Sequence, residues 1–299
     1  MKDKIAICIS GQTRQINKLG IIEQLEEVLE LFDEFDYDLY GHTWHDHDDP
    51  KQEFLNKFTE YQTEDQEVIW KDIVNLMYSE EKEEPKYQQF FQIDDQWRNK
   101  KEFMDMLHGK SDQNYLEFCK ERIKGTVGQV WSAHRSFQLM NQYPRNKYYL
   151  VVRLRWDLMI KNYFQGNYMN KQKQRFKDML HYYRNNKYDF DNTHRKPSVL
   201  CADDCTFELR MDPYANDHVY VFDGNAFLNT KVLTTTPIQF LVDIIDHYSI
   251  GMTMYHLPSA HTLWMQWLLH AGFRVSPKLP DIFQASGTSG GKINKEWNI

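Results

Sequence analysis

Cysteine, glycine and proline are all scarce in this 299-residue sequence, at four, 13 and nine residues respectively. Cys8, Cys119, Cys201 and Cys205 form no disulfide framework, which points to a reducing cytoplasm rather than a stapled secreted domain. Cys201 and Cys205 make one short Cys pair, and without a second pair they specify no metal site. No apolar run approaches the roughly 18 residues needed to span a bilayer, so no membrane insertion is expected. The start, MKDKIAICIS, runs directly into a strand with no signal peptide before it. A phosphate loop is also missing. In the stretch from Ser286 to Lys292 a serine stands where the first glycine of a Walker loop belongs, and Ile293 follows the lysine. This stretch reads as a tail, with Lys292 able to fold over an anionic ligand.

What is present is a folded composition, 41% hydrophobic and 15% aromatic, with an uneven distribution of charge. The formal net charge is −7, yet Ile21 to Phe118 carries 27 Asp and Glu against 9 Lys and Arg, a net of −18. Lys161 to Lys196 reverses this with 9 Lys and Arg against 3 Asp, a net of +6, and interleaves eight aromatics. Such a basic and aromatic stretch suits a polyanionic partner, with phosphates on the cations and exposed bases beside the rings. Lys171, Lys173, Arg175, Tyr182, Tyr183 and Arg184 are the candidate nucleic-acid contacts. A solvated helix is the alternative.

The order of elements predicts an α/β fold. Lys4–Ser10 is an apolar strand that empties into Gly11-Gln12-Thr13-Arg14, a turn with polar donors. Gly20 to about Phe35 has helical spacing, with Ile21, Leu25, Val28 and Phe32 on one side and acids outside. Asp38–Tyr40 is a second strand, followed by His42 and Trp44 near its end as candidate ligand-facing residues. His45 to Asp49 is rich in His and Asp, and reads as a solvated turn before Pro50 rather than a metal site. About 52–120 reads as an acidic, mostly helical insertion. Thr126 to about Tyr143 is a helix that groups Gln129, Ser132 and Arg135 on one side. Ser198–Ala202 and His218–Phe222 are strands, with a turn at Asp223-Gly224-Asn225. Pro237–His247 and Ala260–Ala271 are helices, the second stopped by Gly272 before a short strand at Phe273–Val275.

The chain is organised around Tyr148–Ile160, YYLVVRLRWDLMI. Its apolar start is that of a strand buried on both faces. Polar residues then alternate, so a continuing strand places Arg153, Arg155 and Asp157 on one face and Leu154, Trp156 and Leu158 on the other. Open α/β sheets bind ligands beyond the carboxyl ends of their strands, and this is where two cations and a carboxylate converge. An Arg–Asp pair closing a sheet edge is the structural alternative.

Together IAICISGQTRQ, DLYGHTW, the helix carrying Gln129 and Ser132, and YYLVVRLRWDL resemble the nucleotide-sugar half of A-type-fold (GT-A-like) glycosyltransferases, particularly small phage and bacterial enzymes. The resemblance implies a Rossmann-like fold, a central mostly parallel sheet flanked by helices with helical insertions. It implies one glycosyltransferase domain over 1–299, with a nucleotide-sugar half at about 1–160 and an acceptor half at about 161–299. The implied reaction is transfer of a sugar from a nucleotide sugar to an acceptor hydroxyl, usually with Mn²⁺ or Mg²⁺ on the diphosphate. On this reading Ser10, Gly11, Gln12 and Arg14 form the nucleotide-contacting loop, and His42, Trp44, Gln129, Ser132, Arg135, Arg153, Arg155 and Lys292 complete the donor side. Asp157 matches the last acid of the usual Asp-x-Asp and is the expected metal contact. Arg155 replaces the first acid, which leaves the cation to Asp157 and another group such as His218, or the phosphates to Arg153 and Arg155. Asp217 and His261 are candidate catalytic or acceptor-side groups, and Asp203, Asp204 and Asp223 are further possible bases.

A composition rich in Asn, Lys, Tyr, Phe and Met also looks like that of a T-even-type bacteriophage protein. This makes hydroxymethylcytosine in DNA the leading acceptor, with a surface polysaccharide or lipid-linked glycan as the alternative. A non-catalytic nucleic-acid-binding protein using only the basic stretch is the reading from another class. Oligomeric state is not legible in the sequence.

Overall fold

A computed structural model describes residues 4–13, 16–17, 20–45, 50–77, 112–142, 148–161, 166–185, 198–202, 218–229, 231–233, 264, 267–280 and 282–285. The strands are β1 (Lys4–Gly11), β2 (Asp36–Trp44), β3 (Glu60–Glu64), β4 (Leu150–Arg155), β5 (Leu158–Ile160), β6 (Ser198–Ala202), β7 (Val219–Asp223), β8 (Arg274–Leu279) and β9 (Phe283–Ala285). Seven of them form one sheet in the order β3-β2-β1-β4-β7-β6-β8, and β5 pairs separately with β9. β1 to β4 are mutually parallel. β7 runs against both its neighbours, and β6 and β8 are parallel to each other. This is the α/β class that the order of elements implies, with the mostly parallel sheet that the resemblance implies, made mixed by the antiparallel β7.

The helices are α1 (Ile21–Leu29), α2 (Gln52–Leu55), α3 (Gln66–Met77), α4 (Asp112–Asn141), α5 (Asn167–Asn185) and α6 (Gly224–Asn229), and α1 continues as a single 3-10 turn at Glu30–Phe32. Period-two alternation gives each sheet face its own core. One face carries Ala6, Cys8, Tyr40, Val151, Tyr220 and Phe222 and packs on Val127, Val130, Ala133 and Phe137 of α4. The other carries Ile5, Ile7, Ile9, Leu39, Val152 and Val221 and packs on α1 and on Phe176, Leu180 and Tyr183 of α5. Each fully buried phenylalanine contributes about 3 kcal/mol of apolar burial.

Three expectations are corrected. The stretch Tyr148–Ile160 is not one strand: it breaks after Arg155, with a turn at Trp156 and Asp157. The turn seats Trp156, whose ring stacks on Phe58 at 5.5 Å and whose Nε1 donates to the His42 carbonyl at 2.9 Å, contacts that favour the break over a continuing strand. Within the expected helical insertion, Glu60–Glu64 is instead an edge strand parallel to β2. At Gly224 a helix starts rather than a turn. Its amide donates to the Tyr149 carbonyl at 2.9 Å, and a Cβ there would lie 2.0 Å from the Tyr148 carbonyl oxygen, so only glycine fits. Among the described residues no helix is long and apolar enough to cross a membrane.

Candidate functional site at the carboxyl edge of the sheet

Leaving β1, the chain passes to β2 on one side, whereas β4 lies on the other. The crevice beyond the carboxyl ends of β1 and β4 is therefore the topological switch point, the place where open α/β sheets bind ligands. The register brings Gln62, His42, Ser10 and Arg155 into one row across β3, β2, β1 and β4. By alternation their side chains lie on the α4 face.

Gly11 ends β1 with φ of 119°, a conformation that favours glycine. Its amide donates to Ser132 Oγ on α4 at 2.8 Å, and its carbonyl accepts from Thr43 Oγ1 at 2.8 Å. Gln12 Nε2 donates to Gln66 Oε1 at 3.3 Å. The first loop is thus pinned from β2, α3 and α4.

His42 is fully buried. Its Nδ1 lies 2.9 Å from Ser132 Oγ and its Nε2 lies 3.2 Å from Glu64 Oε2. Burial lowers the His42 pKa despite the opposing pull of Glu64, so the neutral ring is favoured. An ionised carboxylate only accepts, which places the ring proton on Nε2 and leaves Nδ1 as an acceptor, so the Ser132 hydroxyl proton is shared between Nδ1 and the His42 carbonyl at 3.1 Å. Glu64 also accepts from Trp131 Nε1 at 2.9 Å and from Arg135 Nε at 2.8 Å, with a second bond from Arg135 Nη2. Burial alone would raise the Glu64 carboxyl, but the bonds from His42, Arg135 and Trp131 outweigh it and hold the group at about 2. Trp44 is buried edge-on to His42 at 5.2 Å. His42, Trp44, Ser132 and Arg135 therefore meet in one network that supports the β1 loop from within. Gln129, one helical turn before Ser132, is half-buried.

Arg153 is also fully buried, donating from Nε to Ser10 Oγ at 3.0 Å and lying 4.6 Å over the Trp264 ring. Arg155 is part-exposed at the edge. Its Nε and Nη2 each donate to one oxygen of Asp157, both at 2.7 Å. His218 precedes the Val219 that pairs with Leu154, so it stands opposite Arg155 one step further along the ladder.

The resemblance implies a divalent cation, and the described residues do not fit one. Among them no three His, Cys, Asp or Glu side chains come together, and the expected ligand Asp157 gives both oxygens to Arg155. Arg14, Asp203, Asp204, Asp217, His261 and Lys292 lie outside the described residues, as does most of the His- and Asp-rich loop, in which His45 is exposed.

The basic helix α5 lies against α1, on the sheet face opposite Arg153 and Arg155. Lys173 pairs with Glu27 at 2.8 Å, while Lys177 and His181 pair with Glu34 at 3.1 and 2.9 Å. Tyr183 is buried, and Arg184 lies 5.8 Å over Tyr149. Lys171, Arg175 and Tyr182 face outward.

Sequence reasoning missed Glu64, Trp131 and Thr43. Glu64 ends a strand so polar that only the alternation of Tyr61 and Thr63 marks it.

No family model and no curated protein matches the chain. Among solved structures, the galactosyltransferase LgtC in complex with donor and acceptor sugar analogs is similar with a TM-score of 0.37 and 8% identity, over 91% of this chain and 73% of that one. The apo form of mouse xyloside xylosyltransferase 1 is similar with a TM-score of 0.37 and 11% identity, over 92% and 84%.

Proposed function

We propose that this chain is a GT-A-like glycosyltransferase that moves a sugar from a nucleotide sugar to an acceptor hydroxyl. The observation that carries the reading is the switch-point edge: the braced Gly11 turn of β1 lies next to Arg155, which is in register with Ser10. That edge offers a rigid loop for the nucleotide and a guanidinium for its diphosphate. In the transfer the bond from the sugar carbon to the diphosphate oxygen breaks. The diphosphate leaves with the electron pair, and the acceptor oxygen bonds the sugar carbon and passes its proton to a base on the acceptor side, for which Asp217 and His261 are proposed. Arg155 stabilises the charge that develops on the leaving group, an electrostatic role of the kind that dominates such reactions. Ser10, Gly11, Gln12 and Arg14 contact the nucleotide, and His42, Trp44, Gln129, Ser132, Arg135 and Arg153 hold that loop and edge in place. Asp217, His261 and Lys292 are proposed for the acceptor side and the closing tail.

The test is incubation with a panel of nucleotide sugars, with and without Mn²⁺. Slow donor hydrolysis and a donor-induced rise in melting temperature are expected. Absence of both, for every donor, overturns the reading and leaves the non-catalytic one.

For the acceptor, Lys171, Arg175, Tyr168 and Tyr182 on the outward side of α5 suit a polyanion such as hydroxymethylcytosine DNA, but on the sheet face opposite Arg155. The pairing of Lys173, Lys177 and His181 with acids of the same chain favours a glycan instead. Labelled transfer to modified DNA, ordinary DNA and a glycan mixture separates these acceptors.

A further inference from the structure

Arg155 and Asp157 hold each other in a bidentate pair that constrains what can bind beside them. The guanidinium spends two donors on the carboxylate, and the carboxylate spends both oxygens on the guanidinium, each bond being 2.7 Å. The side chains are 15% and 14% exposed, so both charges still reach solvent at the edge of the sheet. Arg155 is the last residue of β4 and lies in register with Ser10, at the switch point between β1 and β4. A planar guanidinium that takes a carboxylate in bidentate fashion has the geometry to take a phosphate in the same way. We propose that Arg155 is a diphosphate-binding group and that Asp157, rather than holding a cation, is its resident counter-ion, displaced when the diphosphate binds.

Asp157 then acts as a stand-in for the ligand. It keeps the arginine side chain in its binding rotamer and shields the charge while the site is empty. The cost is competition: an incoming diphosphate must break the intramolecular pair. This deepens the glycosyltransferase reading and depends on it only for the identity of the anion.

The test uses inorganic pyrophosphate as probe, titrated calorimetrically into the full chain in buffer containing EDTA. Wild type, Asp157→Asn and Arg155→Met are compared after circular dichroism shows that each is folded. Removing the competing carboxylate is expected to tighten binding by about threefold, the scale of a part-exposed ion pair. Removing the bidentate donor is expected to weaken it by about tenfold or more. Unchanged or weaker metal-free binding by Asp157→Asn overturns the inference. So does a loss in that variant confined to a parallel titration with Mn²⁺ in place of EDTA, because Asp157 would then be a cation ligand. Failure of wild type and both variants to bind pyrophosphate at millimolar concentration also overturns it. Pyrophosphate binding with no affinity for any nucleotide sugar supports the inference and defeats the glycosyltransferase reading. Nucleotide-sugar binding unaffected by Arg155→Met does the reverse.

Discussion

Glu64 ties three elements together through one carboxylate: β2 by His42, α4 by Trp131 and Arg135, and its own strand β3. Truncating it leaves the buried His42 Nε2 and the half-buried Trp131 Nε1 without this acceptor and strips Arg135 of its ion pair. We expect Glu64→Ala to lose about 3 kcal/mol in urea unfolding, the scale of a broken, mostly buried charged network. The pH dependence has a definite sign. The carboxyl sits at about 2 when folded, against an ordinary value of 4.5, so its contribution is complete above 4.5 and is lost as pH falls toward 2. Glu64→Gln should make the decline in stability across that window shallower, and an unchanged slope in stepped-pH unfolding would count against the assignment. Gly11→Ala forces a side chain onto a backbone at φ of 119° and should cost about 1–3 kcal/mol, with loss of donor-induced stabilisation if the loop contacts the nucleotide. At this scale the sequence was partly legible. Arg153, Arg155 and Asp157 stood out as charges in a core strand, but alternation alone could not show that the chain would turn at Trp156 and bring Asp157 onto Arg155.

Helix α5 shows how an element differs from its composition. Met169, Phe176, Leu180 and Tyr183 form a buried stripe at helical spacing, and Phe176 meets Phe32 and Phe283 edge-on at 5.7 and 5.3 Å. Phe176→Ala should cost about 3–5 kcal/mol in denaturant unfolding, as for a fully buried ring that leaves a cavity. A loss below about 1 kcal/mol would mean that the helix is not seated on the sheet. The net charge of the segment gave no hint of this seating. Summed charge does not say which side of a helix each cation occupies, and it cannot see that the acidic α1 region supplies partners for Lys173, Lys177 and His181. β3 was hidden for a related reason: an edge strand in which every residue is only half-buried needs no apolar alternation. β1, β2, β4, β6 and β7 were legible because buried strands must be apolar.

The molecule has two cores separated by one sheet, and the shared strands make them a single cooperative system. Phe137 packs against Phe222, Phe227 and Trp267 on one face, and Phe176 packs on the other. Among the described residues Phe137 and Phe176 share no partner, so the stability losses of Phe137→Ala and Phe176→Ala should add to within about 0.5 kcal/mol in the double variant. Each should shift a single melting transition, and a second transition in either variant would show that the faces unfold separately. An α/β fold followed from the order of elements and a mostly parallel sheet with flanking helices from the resemblance, whereas the pairing of β5 with β9 did not, because Leu158–Ile160 and Phe283–Ala285 are too short to signal it. That pairing joins residue 158 to residue 285. It becomes local only once β7, β6 and β8 have added to β4, so it forms after the main sheet. The turn holding Arg155 and Asp157 is therefore timed as well as placed: in refolding, recovery of the proposed anion binding should lag behind recovery of the far-ultraviolet circular dichroism signal.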